Sequence, residues 1–189
     1  MIKTFFTVTC LLFLFSGCFS ASSLNPFSDD TKEATLPIPK DAPKWVHNSK
    51  ERNYISVVSF STIKNSEVTE FDKKRVLLHA GNTLSQKIYL KTKKFYKEYE
   101  KNLDNPKVFE KDVQNIAKQI SLKSLSKSKI KDSWLSKDNR LFVRIVVESD
   151  FVANEIQTES KNIYKTNEIL YKNVLSNRAK ASLIQDLEK

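Results

Sequence analysis

The chain has 189 residues, 40% hydrophobic and 29% charged, with a net charge of +10, which suits one folded domain with extra segments and excludes a large multidomain enzyme. It holds only two glycines and two cysteines, and Gly17 and Cys10 both fall within the first seventeen residues. Beyond them remain Gly81 and Cys18, which leaves no glycine-rich phosphate loop and no internal disulfide.

Lys3 precedes an apolar run from Phe5 to Phe15, which ends in Ser16, Gly17 and Cys18. A basic start, an apolar stretch and small residues at its exit predict a secretory signal peptide over residues 1–17, shorter than the roughly 20 residues of a membrane span. Leu14-Phe15-Ser16-Gly17-Cys18 resembles the bacterial lipobox, with Phe15 where leucine is commonest. That resemblance implies cleavage between Gly17 and Cys18, a diacylglycerol on the Cys18 thiol and acylation of the new amine. Two or three acyl chains anchor firmly, since each buried methylene contributes about 0.8 kcal/mol and a single chain binds only marginally. Phe19 and Ser20, with no Asp beside Cys18, favour transfer to the outer membrane. The competing reading is a plain signal peptide or an uncleaved anchor, with Cys18 incidental.

Residues 18–43 hold four of the five prolines and many polar side chains, a composition that predicts a disordered tether. Trp45 to Lys64 reads as a strand region, with Tyr54-Ile55-Ser56-Val57-Val58-Ser59-Phe60-Ser61 rich in β-branched and aromatic residues. Its small serines suit a face covered by a helix. From about Phe71 to Asn102, Leu77, Gly81, Leu84, Ile88, Phe95 and Tyr99 fall at helical spacing. Gly81 in that stripe predicts close approach of the helix backbone to the sheet, or else a hinge.

Asn105-Pro106 interrupts the pattern, and Val113, Ile116, Ala117, Ile120 and Leu125 resume it. Ile130 to Trp134 and Leu141 to Val147 read as two strands of a hairpin around Ser136 to Arg140. Leu141, Val143, Ile145 and Val147 make an apolar face, whereas Phe142, Arg144 and Val146 opposite read as neither plain core nor plain surface. Beyond about Val152 there is no proline or glycine, and Ile156, Ile163, Leu170, Val174, Ala181 and Ile184 recur near heptad spacing. This predicts a C-terminal helix over 150–189, lying across its own sheet or forming an oligomeric seam.

The fold class expected is α+β: a β-α-β-β unit over 44–149, with a three-stranded antiparallel-type sheet packed on a long helix, and an additional C-terminal helix. With Cys18, Ala42-Pro43-Lys44-Trp45, the Tyr54 to Val58 strand, the Ala80, Gly81, Leu84, Ile88 helix face, and Ile130 to Trp134 followed by Arg140 to Ile145, the chain resembles the Lpp-twenty family of outer-membrane lipoproteins, as a divergent member. The resemblance implies a dodecin-like or SHS2-like domain, no catalytic residues, and a role as a surface or assembly component, in some relatives flagellum-associated.

His47 and His79 have no Cys or carboxylate cluster at ligand spacing, and no nucleophile elbow or serine-lysine motif stands in the sequence. No catalytic residue, metal site or cofactor is expected. The positive charge concentrates in residues 71–102, with nine Lys/Arg against three Asp/Glu, and in 118–131, with five against none. Aromatics interleave with these lysines, yet 27 of the 32 cations are lysine rather than arginine, which argues against nucleic acid. Lys87, Lys91, Lys94 and Lys97 are the candidate contacts to anionic envelope surfaces. The expected partners are the outer membrane through its lipid anchor, a second copy of the chain, and envelope or flagellar proteins. The alternative is a surface-exposed or secreted binding module whose Lys-rich helix meets anionic ligands or host surfaces.

Overall fold

Three strands rich in β-branched and aromatic residues, β1 (Tyr54–Thr62), β2 (Lys129–Leu135) and β3 (Arg140–Glu148), pair antiparallel in the order β1-β3-β2. The structure, a computed structural model, describes residues 37–64, 67–98, 106–164 and 167–189. The β2–β3 hairpin turns on Asn139, whose φ of 58° is one that asparagine tolerates better than most side chains. The Ser136 hydroxyl accepts from the Arg140 amide at 2.9 Å and ties the turn shut.

β3 lies between the other two strands, and both of its faces are buried. On one side Leu141, Val143, Ile145 and Val147 line up with Ile55 and Val57 of β1. This layer is covered by α2 (Glu70–Glu98), a 29-residue helix whose Val76, Ala80, Leu84 and Ile88 are fully buried. Ser59 and Ser61 of β1 share this face and sit on the helix side as expected, whereas Ser56 pairs with Val146 on the opposite face. α2 starts at a capping box. The Thr69 hydroxyl accepts from the Asp72 amide at 3.2 Å, and the Asp72 carboxylate accepts from the Thr69 amide and hydroxyl at 3.1 and 2.6 Å. Those two Thr69 bonds hold the Asp72 carboxyl below the usual aspartate range.

α3 (Pro106–Ser126) packs along α2 through Val113, Ile116, Ala117 and Ile120. The close approach at Gly81 is to this helix and not to the sheet: a Cβ on Gly81 would stand 3.3 Å from Leu125 Cδ1. The obstacle is the end of a partly buried, flexible side chain. Gly81→Ala is therefore expected to stabilise the fold by about 0.5–1 kcal/mol through helix propensity, whereas Gly81→Leu destabilises it. Urea midpoints of the two variants check the pair.

The opposite face of the sheet is covered by residues that precede β1. The segment expected to be extended from Trp45 instead forms α1 (Lys44–His47), which buries Val46. Residues 37–43, assigned to the tether by composition, are attached to the domain. The Pro37 carbonyl accepts from Arg140 Nη2 at 2.9 Å and Asp41 pairs with Lys137 at 3.4 Å. Phe142 packs against Phe60 and Trp134 at centroid distances of 5.3 and 5.4 Å.

The C-terminal helical region is divided into α4 (Ser149–Ile163), α5 (Glu168–Leu175) and α6 (Asn177–Glu188). Proline and glycine are absent from it, but Ser176 supplies a break of another kind, its hydroxyl accepting from the Ala179 amide at 3.2 Å as an N-cap. The chain folds back so that Ile156, Val174, Leu183 and Leu187 are buried within the same molecule. Of the positions at heptad spacing, Ile156 and Val174 are buried in the domain's own core and Ile163 and Ile184 pack partly buried against it, whereas Ala181 is exposed and the Leu170 side chain lies outside the described residues. At the end of α6, the Glu188 carboxylate accepts from the Asn53 amide at 3.0 Å and the Ser149 hydroxyl at 2.7 Å.

Candidate functional site

Gly17 and Cys18, the expected cleavage and lipidation residues, lie outside the described residues, as does Tyr99. The described chain begins at Pro37, held by Arg140 at the β2–β3 turn. A covalent link from Cys18 therefore reaches the domain at the end of β2 that carries Leu135.

The four candidate lysines all lie on α2, and each has an intramolecular partner. Lys87 Nζ donates to the Ser56 carbonyl on edge strand β1 at 3.3 Å. Lys91 Nζ donates to the Asp186 carbonyl at 2.7 Å and faces its carboxylate at 3.4 Å. Lys94 meets the same carboxylate at 3.3 Å, and Lys97 pairs with Glu110 of α3 at 3.6 Å. Helical spacing thus brings these lysines together as clamps from α2 to β1, α6 and α3. Burial, followed by the charges of Lys91 and Lys50, pushes the Lys87 ammonium below the usual lysine range, which suits a group held for a carbonyl more than one offered to solvent.

Asp186 is the hub of this arrangement. Its burial acts to raise the carboxyl, but Lys91 and Lys94 together outweigh burial and hold it below the usual aspartate range. A carboxyl depressed on folding contributes stability above its unfolded pKa of about 4, which is lost as pH falls through the folded value. Asp186→Asn is expected to flatten this part of the acid limb. Urea midpoints measured at neutral pH and below about pH 4 would show a smaller difference in the variant than in the parent.

Of the aromatics interleaved with the lysines, Phe95 and Tyr96 are buried. Tyr96 Oη donates to the Ile156 carbonyl at 2.6 Å, and Tyr164 Oη to the Tyr96 carbonyl at 3.2 Å. These two rings face inward and offer no stacking surface to a base. His47 and His79 are both exposed. Among the described residues no group of three or more His, Cys, Asp or Glu is placed to share a metal ion, and no helix is long and apolar enough to cross a membrane. A cleft of about 230 Å³ lies between α2 and α6, bordered by Lys94, Phe95, Leu183 and Asp186.

Sequence reasoning missed an ionic and aromatic network on the second face of the sheet. Arg144 Nε donates to Asp132 at 2.7 Å, Arg144 Nη1 stands 3.3 Å from Glu51, and the guanidinium lies over the Trp45 ring at 5.7 Å. Lys131 pairs with the same Glu51 and, with Lys129, lies over Tyr54 at 5.0 and 5.3 Å. The Arg140 guanidinium lies against both Phe60 and Phe142, at 5.3 and 5.5 Å from their ring centroids, and is bonded to Asp138 at 2.6 Å. The available signal was that two of the five arginines stand in or beside an apolar strand.

The helix-side face of β2 is also uncovered. α2 crosses β1 and β3, so Ile130 and Leu135 remain 54% and 41% exposed while their β3 partners Ile145 and Leu141 are buried. No family model matches the chain, and neither does any curated protein.

Proposed function

We propose that the protein is a non-enzymatic, lipid-anchored outer-membrane lipoprotein, serving as a structural or assembly component of the cell envelope. The observation that carries this reading is the acceptor cysteine: Cys18 directly follows small residues at the end of an apolar run, and a polar, proline-containing stretch links it to a domain whose described part begins at Pro37. The sheet under a long helix is the arrangement that the Lpp-twenty resemblance implies, and flagellar association is the narrower form of the same proposal.

The experiment is fractionation of cells expressing the full chain or its Cys18→Ser variant. The parent is expected in the outer-membrane fraction. The variant is expected to lose that anchoring, and a variant that still partitions wholly with the outer membrane would sink the reading.

The competing role, a module that meets anionic ligands through Lys87, Lys91, Lys94 and Lys97, is less favoured by the geometry. All four already hold partners within the chain, two of them on Asp186.

A further inference from the structure

Residues 37–50 lie over the Phe142 face of the sheet and are fastened there mainly by side chains of the β2–β3 hairpin. Arg140 donates to the Pro37 carbonyl, Lys137 pairs with Asp41, and the Arg144 guanidinium lies over the Trp45 ring. The Lys137 and Asp41 side chains are 90% and 46% exposed, so that pair contributes little. Further along, the Ser49 carbonyl accepts from the Ser56 hydroxyl. Val46 is the only buried residue of the segment.

The backbone of this segment does not join the sheet. Its backbone–backbone hydrogen bonds run from Ala42 to Pro39, from Val46 to Pro43 and from Asn48 to Lys44, and all close within the segment. Ties to the domain's backbone begin only beyond Lys50, where the Ser149 amide donates to the Asn53 carbonyl and β1 pairs with β3 over nine residues. α1 has four residues, too few to hold a helix without packing. A contiguous stretch with one buried apolar side chain and no ladder bonds opens at a lower free energy than the strands beneath it.

We propose that residues 37–50 are a detachable strap, which peels from the sheet at its Pro37 end while the domain stays folded and so lengthens the link between membrane and domain. The strap runs from the hairpin turn towards the opposite end of the sheet, where Tyr54 pairs with Glu148. Tension arriving at Pro37 therefore meets the Arg140 contact first and the Trp45 contact with Arg144 later, one after another. The nine-residue β1 ladder then stops the peeling. Fourteen freed residues add at most about 50 Å of extended chain. The proposal rests on the lipid-anchored reading only for the source of the tension, since detachment is a property of the fold.

The test exploits the two tryptophans, Trp45 on the strap and Trp134 on β2. It uses the chain from residue 18 onward carrying Cys18→Ser and Trp134→Phe, which retains every described element and no lipid. Trp45 emission then reports the strap, and far-ultraviolet circular dichroism reports the helices and sheet of the same molecule. In a urea titration the Trp45 transition is expected at a lower midpoint and with a shallower slope than the dichroism, because detachment exposes little surface. Val46→Asp is expected to remove the early transition and leave the dichroism midpoint unchanged. Coincident Trp45 and dichroism transitions overturn the proposal, and so does a Val46→Asp variant whose dichroism midpoint falls. If Trp134→Phe prevents folding, emission and dichroism of the parent with both tryptophans carry the comparison: an early emission phase supports the strap, and coincident curves overturn it. No membrane takes part, so failure here leaves Cys18 anchoring untouched, and failure of Cys18 acylation leaves an early Trp45 transition standing.

Discussion

Phe142→Ala is expected to lower the unfolding free energy by about 4 kcal/mol, read as a shift of the urea or guanidinium midpoint. Phe142 is 2% exposed in the central strand, and its ring supports Phe60, Trp134 and the Arg140 guanidinium. Truncation removes the transfer free energy of a whole ring and opens a cavity that three large neighbours cannot fill without leaving their own partners. It also frees Arg140, which holds the Pro37 carbonyl. Proteolysis within residues 37–50 should therefore accelerate in the variant beyond what global unfolding accounts for. A midpoint unchanged from the parent would show that this face of the sheet is not core.

Arg144→Ala is expected to cost about 3 kcal/mol by the same measurement. The Arg144 side chain is 11% exposed, and Glu51 and Asp132 are 22% and 30% exposed. Removing the cation leaves Asp132 without its charged neighbour and Glu51 with only Lys131. Partial exposure of the carboxylates keeps the cost at the lower end of that for a broken buried pair. Arg144→Lys should recover only part of it, since an ammonium cannot bridge two carboxylates as a planar fork or lie as well over the Trp45 ring.

Both predictions concern the face that alternation alone could not assign. Leu141, Val143, Ile145 and Val147 repeat at period two and declare a core side. Phe142, Arg144 and Val146 form a mixed set whose burial depends on residues almost a hundred positions earlier in the chain. Composition gave no indication that 37–50 would cover them: a proline-rich polar stretch reads as a tether, and its docking comes from single contacts made by Arg140, Arg144 and Lys137.

The long helix, the break at Pro106 and the hairpin were legible because periodicity, proline and turn residues are local signals. The divided C-terminal helix was less so, since its breaks use capping residues such as Ser176 in place of proline or glycine, and capping becomes visible only with the backbone. Likewise Lys87, Lys91, Lys94 and Lys97 are grouped on one helix by spacing, but their carbonyl and carboxylate partners come from β1, α6 and α3. The exposure of Ile130 was hidden for a related reason. Sequence places it on an apolar position of a regular element, and only the path of α2 across β1 and β3 leaves β2 open.

The central claim, that the domain is carried on an acylated cysteine, is tested most directly by the mass of the N-terminal peptide of the mature protein extracted from cell envelopes. The predicted result is a chain beginning at Cys18, heavier than the bare peptide by a thioether-linked diacylglycerol and an amide-linked acyl chain. A chain that retains residues 1–17, or one that begins elsewhere with an unmodified Cys18, would contradict it.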